Sequence, residues 1–272
     1  MDVKEYKASR FGTGGFSPVR DLLAVEVALQ VSINDTPFTV TMRSPGHEKE
    51  LVRGLLFTEG IYKAAGEESG FEITRVDEDG HVTAVNILLP EDKVEKAFAE
   101  SRSLMSVSSC GLCGKTELDV LSTPCVSTGG RLNPEIIPGL FLAMSDKQDS
   151  FRSCGGTHAA GAFDRTGTLL TVMEDIGRHN AVDKVIGYLL NRSRIDEAFC
   201  MTVSGRISYE IVSKAAAAGF SFLASVSAPS SLAIETAEAA GICLLAFCRN
   251  DKFTVYTYPE RIIQEVSDVH ND

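Results

Sequence analysis

LLTVMEDIGRHNAVDKVIGYLL, residues 169–190, sets the pattern from which the fold is read. It opens on a short run, L-L-T-V-M, with the apolar, branched character of a buried strand. A polar loop, E-D-I-G-R-H-N, follows. The stretch closes on A-V-D-K-V-I-G-Y-L-L, whose apolar residues recur at helical spacing, with Asn180 placed as cap and Asp183 as first-turn acid. The same unit then repeats. A strand over A-F-C-M-T-V leads through Ser204-Gly205-Arg206 into a helix from about Ser208 to Ala218, stopped by Gly219. Another strand, F-S-F-L-A-S-V, leads through Ser227-Ala228-Pro229-Ser230-Ser231 into L-A-I-E-T-A-E-A-A and Gly241. The strands I-C-L-L-A-F-C and F-T-V-Y-T-Y close the chain's ordered pattern around a tight Arg249–Lys252 turn. Alternating strands and helices predict an α/β fold with a largely parallel sheet, its last strand returning antiparallel.

Working outward, the first half is patterned differently. Residues 22–33 and 37–43 read as two strands joined by the turn Asn34-Asp35, a hairpin. Ser44-Pro45-Gly46 then turns into E-K-E-L-V-R-G-L-L-F-T-E-G, where Leu51, Val52, Leu55 and Leu56 mark one helix face. H-V-T-A-V-N-I-L-L before Pro90 reads as a strand, and residues 91–104 as a helix. Residues 1–20 read as a flexible, Gly-rich lead-in. The expected organisation is a smaller N-terminal α+β domain over residues 21–105, followed by a second domain over residues 106–272.

The chain of 272 residues carries a net charge of −11. That balance argues against bulk nucleic-acid binding, which requires clustered cations, but leaves room for a small anion held by a few Arg and backbone N–H groups. No apolar run approaches the roughly 20 residues that span a bilayer, and no secretory leader pattern opens the chain, so a cytoplasmic location is expected. Seven cysteines, an odd number, speak for reduced thiols rather than a disulfide framework.

The sharpest chemical signal is S-S-C-G-L-C-G-K. Cys110 and Cys113 stand three apart between small residues, and Lys115 nearby favours the thiolate that attacks sulfur. Zinc would need two further ligands, yet no second C-x-x-C and no H-x-x-x-H occurs, so no permanent metal is expected. A thioredoxin-like pair would open a helix near the first βαβ unit, whereas this one follows a helix in mid-chain. The loop E-D-I-G-R-H-N is compatible with a salt-bridged helix cap and with a ligand-facing loop at a strand's carboxyl end. The loops 204–206 and 227–231 begin helices, where free N–H groups favour a phosphate, and Arg206 adds a two-pronged donor. Neither G-x-x-x-x-G-K-[ST] nor G-x-G-x-x-G nor G-x-S-x-G is present, which removes the common nucleotide triphosphatase, nicotinamide and hydrolase readings.

Taken in order, T-M-R-S-P-G-H-E-K-E-L-V-R-G-L-L-F-T-E-G-I, S-S-C-G-L-C-G-K, C-G-G-T-H-A-A, E-D-I-G-R-H-N-A-V-D-K-V-I-G, V-S-G-R-I-S-Y-E, S-A-P-S-S-L-A and F-T-V-Y-T-Y-P-E-R-I resemble the FdhD family over roughly residues 20 to 265. The resemblance implies a sulfurtransferase that takes persulfide sulfur from a cysteine desulfurase. It passes that sulfur to molybdenum bis(molybdopterin guanine dinucleotide) on behalf of formate dehydrogenase. By position, Cys110 would bear the persulfide with Cys113 as its partner. The cofactor segment would fall on Phe253, Thr254, Val255, Tyr256, Thr257 and Tyr258, with Arg206 or Arg178 meeting phosphates. The implied fold resembles cytidine deaminases with a smaller N-terminal domain, and the implied assembly is a homodimer. Deaminase chemistry itself does not carry over: His158 is followed by two alanines rather than H-x-E, and Pro124-Cys125 lacks a second Cys. Two positions depart from the family pattern, Cys154 where Thr is usual and Tyr258 where His or a polar residue is usual. A cofactor chaperone whose thiols only grip, and a dithiol oxidoreductase, remain as alternatives.

Overall fold

In the computed structural model the described residues are 3–64, 70–90, 106–107 and 129–263. Cys110, Cys113, Cys125 and the helix expected over 91–104 lie outside them. The chain opens with β1 (Val3–Gly12) and β2 (Gly15–Ala24), a two-stranded antiparallel ribbon. Residues 1–20, read as a flexible lead-in, thus contribute strands over the described residues 3–20. The glycines mark the ribbon's turn, while Tyr6, Phe11, Phe16 and Val19 supply strand-forming residues that Lys and Arg obscure in the pattern.

Next come β3 (Val27–Ile33), β4 (Thr36–Arg43), α1 (Glu48–Thr58), β5 (Gly70–Val76), β6 (Val82–Leu88) and β7 (Ser106–Val107). The strands form a sheet in the order β5-β6-β3-β4-β7. The expected hairpin is present, with Asn34 and Asp35 both left-handed in its two-residue turn. Leu29, Val31, Ile33, Val85 and Ile87 cover one face of this sheet and pack against Leu51, Val52 and Leu56 of α1.

After residue 129 the chain adds α2 (Ile137–Ser145), α3 (Asp149–Cys154), β8 (His158–Phe163), β9 (Leu169–Asp175), α4 (Arg178–Asn191), β10 (Cys200–Val203), α5 (Tyr209–Ala217), β11 (Phe222–Ser225), α6 (Ser231–Ala240), β12 (Cys243–Arg249) and β13 (Lys252–Val255). Its sheet runs β13-β12-β11-β10-β8-β9. Only β10, β11 and β12 pair in parallel; β8 pairs antiparallel with both β9 and β10, and β13 returns antiparallel as expected. The largely parallel sheet is therefore corrected to a mixed one. Its missed strand, H-A-A-G-A-F, is built from Ala and Gly, which have little strand propensity but fit a strand buried on both faces. One face, with Met201, Val203, Leu223, Leu244 and Ala246, packs under α4, α5 and α6. The other, with Phe163, Cys200, Phe222, Cys243 and Leu245, packs against α2 and Leu132. The result is a layered mixed α/β fold. Among the described residues no helix is long and apolar enough to cross a membrane.

A buried polar network joins the two sheets. Asp175, at the end of β9, pairs with Lys184 of α4 at 2.7 Å and accepts from the Ser44 and Gly177 amides. Lys184 also donates to the Ser44 carbonyl at 3.1 Å. Asn180 donates to Asp175 and to the Met42 carbonyl. The expected cap is thus corrected: α4 begins one turn earlier, after Gly177, and Asn180 lies inside it as a buried bridge to β4. Asp183 is likewise no dipole partner at the surface but is buried, contacting Lys214 of α5 and Thr58 of α1.

Candidate functional site

Because β8 runs against its neighbours, the carboxyl ends of β9 to β12 and the amino end of β8 meet at one edge of the sheet. Five segments gather there: the three loops read as candidate ligand sites, E-D-I-G-R-H-N, S-G-R and S-A-P-S-S, together with G-G-T-H and the turn after Cys248. A crevice at that edge is the usual ligand position in such sheets. Here it is a cleft of about 650 Å³, lined by Gly155, Gly156, Thr157, His158, Ser204, Val226, Cys248 and Asn250 on the sheet side. Pro138, Phe141 and Leu142 of α2 and Phe151 of α3 form the opposite wall.

The acids of E-D-I-G build this cleft rather than face into it. Glu174 accepts from the Ser150 and Phe151 amides at 2.9 and 2.8 Å and from the Thr157 hydroxyl at 2.8 Å, fixing the start of α3 and so the outer wall. Gly155 follows α3 with φ +67°, a left-handed turn that carries the chain into β8. For Asp175 the salt-bridged structural reading of the loop is the one observed, while Glu174 serves as a hydrogen-bond acceptor. Arg178 differs. It sits beside His158 and Gly205, and its Nε is buried without a hydrogen-bond partner. Burial, together with that guanidinium, holds the His158 imidazole below its ordinary pKa, so it is neutral at physiological pH. Ser204 lies 3.5 Å from His158 Nδ1 while its Oγ accepts from the Ala159 amide at 2.9 Å.

The loops 204–208 and 227–231 are knitted together. Ile207 donates to the Ala228 carbonyl, Ser230 donates back to the Ile207 carbonyl, and Ser225 Oγ donates to the Gly205 carbonyl at 2.7 Å. Helices α4, α5 and α6 all begin at this edge, Ser230 capping α6 through the Ala233 amide. Three helix N-termini give an acidic chain one locally electropositive border. Arg206 stands exposed on it, clear of the cleft lining.

The segment 253–258 starts beside this border and leaves it. Lys252 opposes Arg249, and from there β13 runs back along β12, so that Tyr256 donates to Leu244 at the far end. Thr257 is buried there, its hydroxyl bridging the Leu244 amide and the Ile242 carbonyl. The Tyr258 hydroxyl donates to the Glu238 carbonyl, and Phe253, Val255 and Tyr258 pack on the core. The single crevice expected from loops 204–206, 227–231 and residues 253–258 is corrected in part: Phe253 and Thr254 adjoin the border turn, whereas Tyr256, Thr257 and Tyr258 lie toward the other end of β12. Conversely, sequence reading passed over the wall of α2 and α3. I-P-G-L-F-L-A-M-S is apolar on nearly every side and gives no face to read.

Four cysteines are described. Cys154 is half-exposed, whereas Cys200, Cys243 and Cys248 are buried. Burial pushes the Cys243 and Cys248 thiols up to about 12 and the Cys200 thiol higher still, so all three stay protonated and unreactive.

The FdhD/NarQ family model matches residues 24–263. A sulfur carrier protein FdhD from Thermoplasma acidophilum is 43% identical over 92% of this chain and 89% of its own. One of the same name from Sulfolobus acidocaldarius is 37% identical over 96% and 99%. A crystal structure from Desulfotalea psychrophila, of a protein described as a formate dehydrogenase accessory protein, shares the fold with a TM-score of 0.75 at 24% identity, covering 96% of this chain and 99% of that one. With a family model matching residues 24–263 and relatives alike over most of both chains, this chain belongs to the FdhD/NarQ family.

Proposed function

We propose that this protein is a cytoplasmic sulfurtransferase carrying sulfur as a persulfide for the maturation of formate dehydrogenase. The observation that carries the reading is the standing of its thiols. Of seven cysteines, the three in strands β10 and β12 are buried and held protonated. Of the others, only Cys110 and Cys113 form a glycine-flanked pair, in a chain whose relatives are named sulfur carriers. In the proposed reaction the Cys110 thiolate attacks the terminal sulfur of a cysteine desulfurase persulfide. A new S–S bond forms on Cys110, the donor's S–S bond breaks, and the donor leaves as its thiolate. Cys113 then relays or releases the sulfur.

The acceptor we propose is molybdenum bis(molybdopterin guanine dinucleotide), bound as substrate. Its diphosphates suit the electropositive border, with Arg178 and Arg206 as donors. Residues Phe253 to Tyr258 are the family's cofactor segment. Since Tyr256 to Tyr258 lie away from that border within one subunit, they would meet a separate part of so large a ligand or a site completed by the second subunit of a homodimer.

Incubation with a desulfurase and cysteine, followed by intact and peptide mass measurement, tests the carrier step. Sulfur is expected on the peptide holding residues 110–113 and lost in Cys110→Ala. Its absence there, or its retention when Cys110 and Cys113 are both replaced, overturns the reading. The alternative reading is a cofactor chaperone whose thiols only grip. It predicts guanine-nucleotide binding with no persulfide at all.

A further inference from the structure

Among the described residues, the ribbon of β1 and β2 meets the rest of the molecule near its base, where Ala24 lies against Gly156, Lys4 pairs with Asp79 at 3.2 Å, and β2 packs on α3. From Val3–Ala24 the ladder runs unbroken to Gly12–Gly15, roughly 30 Å at about 3.3 Å per residue. At its far end Phe11 and Phe16 are 72% and 77% exposed, their rings in edge contact with centroids 5.2 Å apart. Paired residues share a face, so Phe11, Phe16 and Pro18 make one apolar surface. A lone two-stranded hairpin is marginally stable in water, and two aromatic rings at its tip ask for cover.

Strand addition is not the way this arm is used. Glu5, Lys7, Arg10, Arg20 and Asp21 stud both edges, with cross-strand pairs Arg10–Asp21 at 3.2 Å and Arg20–Glu5 at 3.1 Å, and Pro18 removes a donor from β2. The tip is the sticky part. Apolar surface of matching size lies on the outer rim of the cleft, where Leu142 is 65% and Phe151 46% exposed. The arm cannot reach its own rim, because the rim adjoins the base of the ribbon and the tip lies its full length away.

We infer that residues 3–24 are a dimerisation arm: the Phe11–Phe16 tip seats on the cleft rim, Leu142 and Phe151, of a second copy of this chain. Charge favours that occupant. The arm holds four basic and two acidic residues, a net +2, while the whole chain carries −11, leaving −13 on the body it would meet. Two-fold symmetry lets each arm serve the other copy's rim, so both apolar surfaces are covered at once. The inference rests on the homodimer reading and adds the contact that makes it, one that places part of each subunit against the other's cleft.

Sedimentation of the full chain over a concentration series tests it, with helical content and melting temperature as controls for folding. The native protein is expected to be dimeric. Phe11→Ser with Phe16→Ser, and separately Leu142→Ser, are each expected to raise the dimer dissociation constant about tenfold or more with melting of the monomer unchanged. A photo-crosslinking phenylalanine at position 16, in a mixture of light and isotope-labelled chains, is expected to give mixed-label crosslinks to residues 137–152. A monomeric native protein overturns the homodimer reading and the arm with it, and points to an unrelated protein as the arm's partner. A dimer indifferent to the tip and rim substitutions, or crosslinks elsewhere, overturns the arm alone.

Discussion

Lys214 lies inside the molecule with its ammonium 2.9 Å from both oxygens of Asp183 and 2.9 Å from the Thr58 hydroxyl, which in turn donates to Asp183. Burial alone would lower the lysine's pKa, but Asp183 and Glu59 more than offset it and hold it raised. Burial raises Asp183 despite the ammonium beside it. Such a pair contributes little over an apolar replacement, yet leaving one charge alone is costly. Lys214→Met or Asp183→Asn is therefore expected to lower unfolding free energy by about 3–5 kcal/mol in urea titration, while Lys214→Met combined with Asp183→Leu recovers most of the loss. Additive losses in the double variant would show that the two side chains are not coupled. The sequence could not disclose this pair. Asp183 stands where a first-turn acid belongs, and its partner arrives only when α5 packs across α4. Arg178 was legible for a simpler reason, since a basic residue at a strand-to-helix loop lies at the ligand edge wherever the sheet is wound this way.

At the scale of elements, α1 and α4 cross with their backbones nearly touching. A Cβ placed on Gly54 or Gly187 would come far inside 3.0 Å of the Asp183 or Glu50 carbonyl group of the facing helix. Backbone on both sides leaves no rotamer through which to relieve the clash. Gly54→Ala and Gly187→Ala are each expected to cost at least about 3 kcal/mol, read as a lowered urea midpoint, even though alanine is the better helix former. Unchanged midpoints would mean that the helices can part. Elements with a clear period were legible: α1, α5, α6 and the hairpin of β3 and β4 appear where the pattern places them. Those without one were not. β8 carries almost no side chain to alternate, the ribbon's apolar residues are spaced among charges, and α4 starts before the residue that looks like its cap because its first turn is buried too.

For the whole molecule, α1 packs on one side against the five-stranded sheet and on the other against α4, with Ser44, Asp175, Asn180 and Lys184 closing the joint. Two sheets sharing one buried helix should open together. Hydrogen exchange is expected to give the slowest amides of β3 and β6 the same opening free energy as those of β10 and β11, and Asn180→Ala to lower both equally. A first sheet that opens at distinctly lower free energy would divide the protein into independent units. The gathering of loops at one edge followed from the strand-helix alternation, whereas the departure of residues 256–258 from that edge depends on the direction of a single returning strand. One last consequence follows from the strand cysteines. A protein that handles transferable sulfur is surrounded by its own potential acceptors, and every ionised thiol is a leak. If this chain carries sulfur as proposed, burial of Cys200, Cys243 and Cys248 within the sheet keeps those three thiols protonated and removes them as acceptors by solvation rather than by distance.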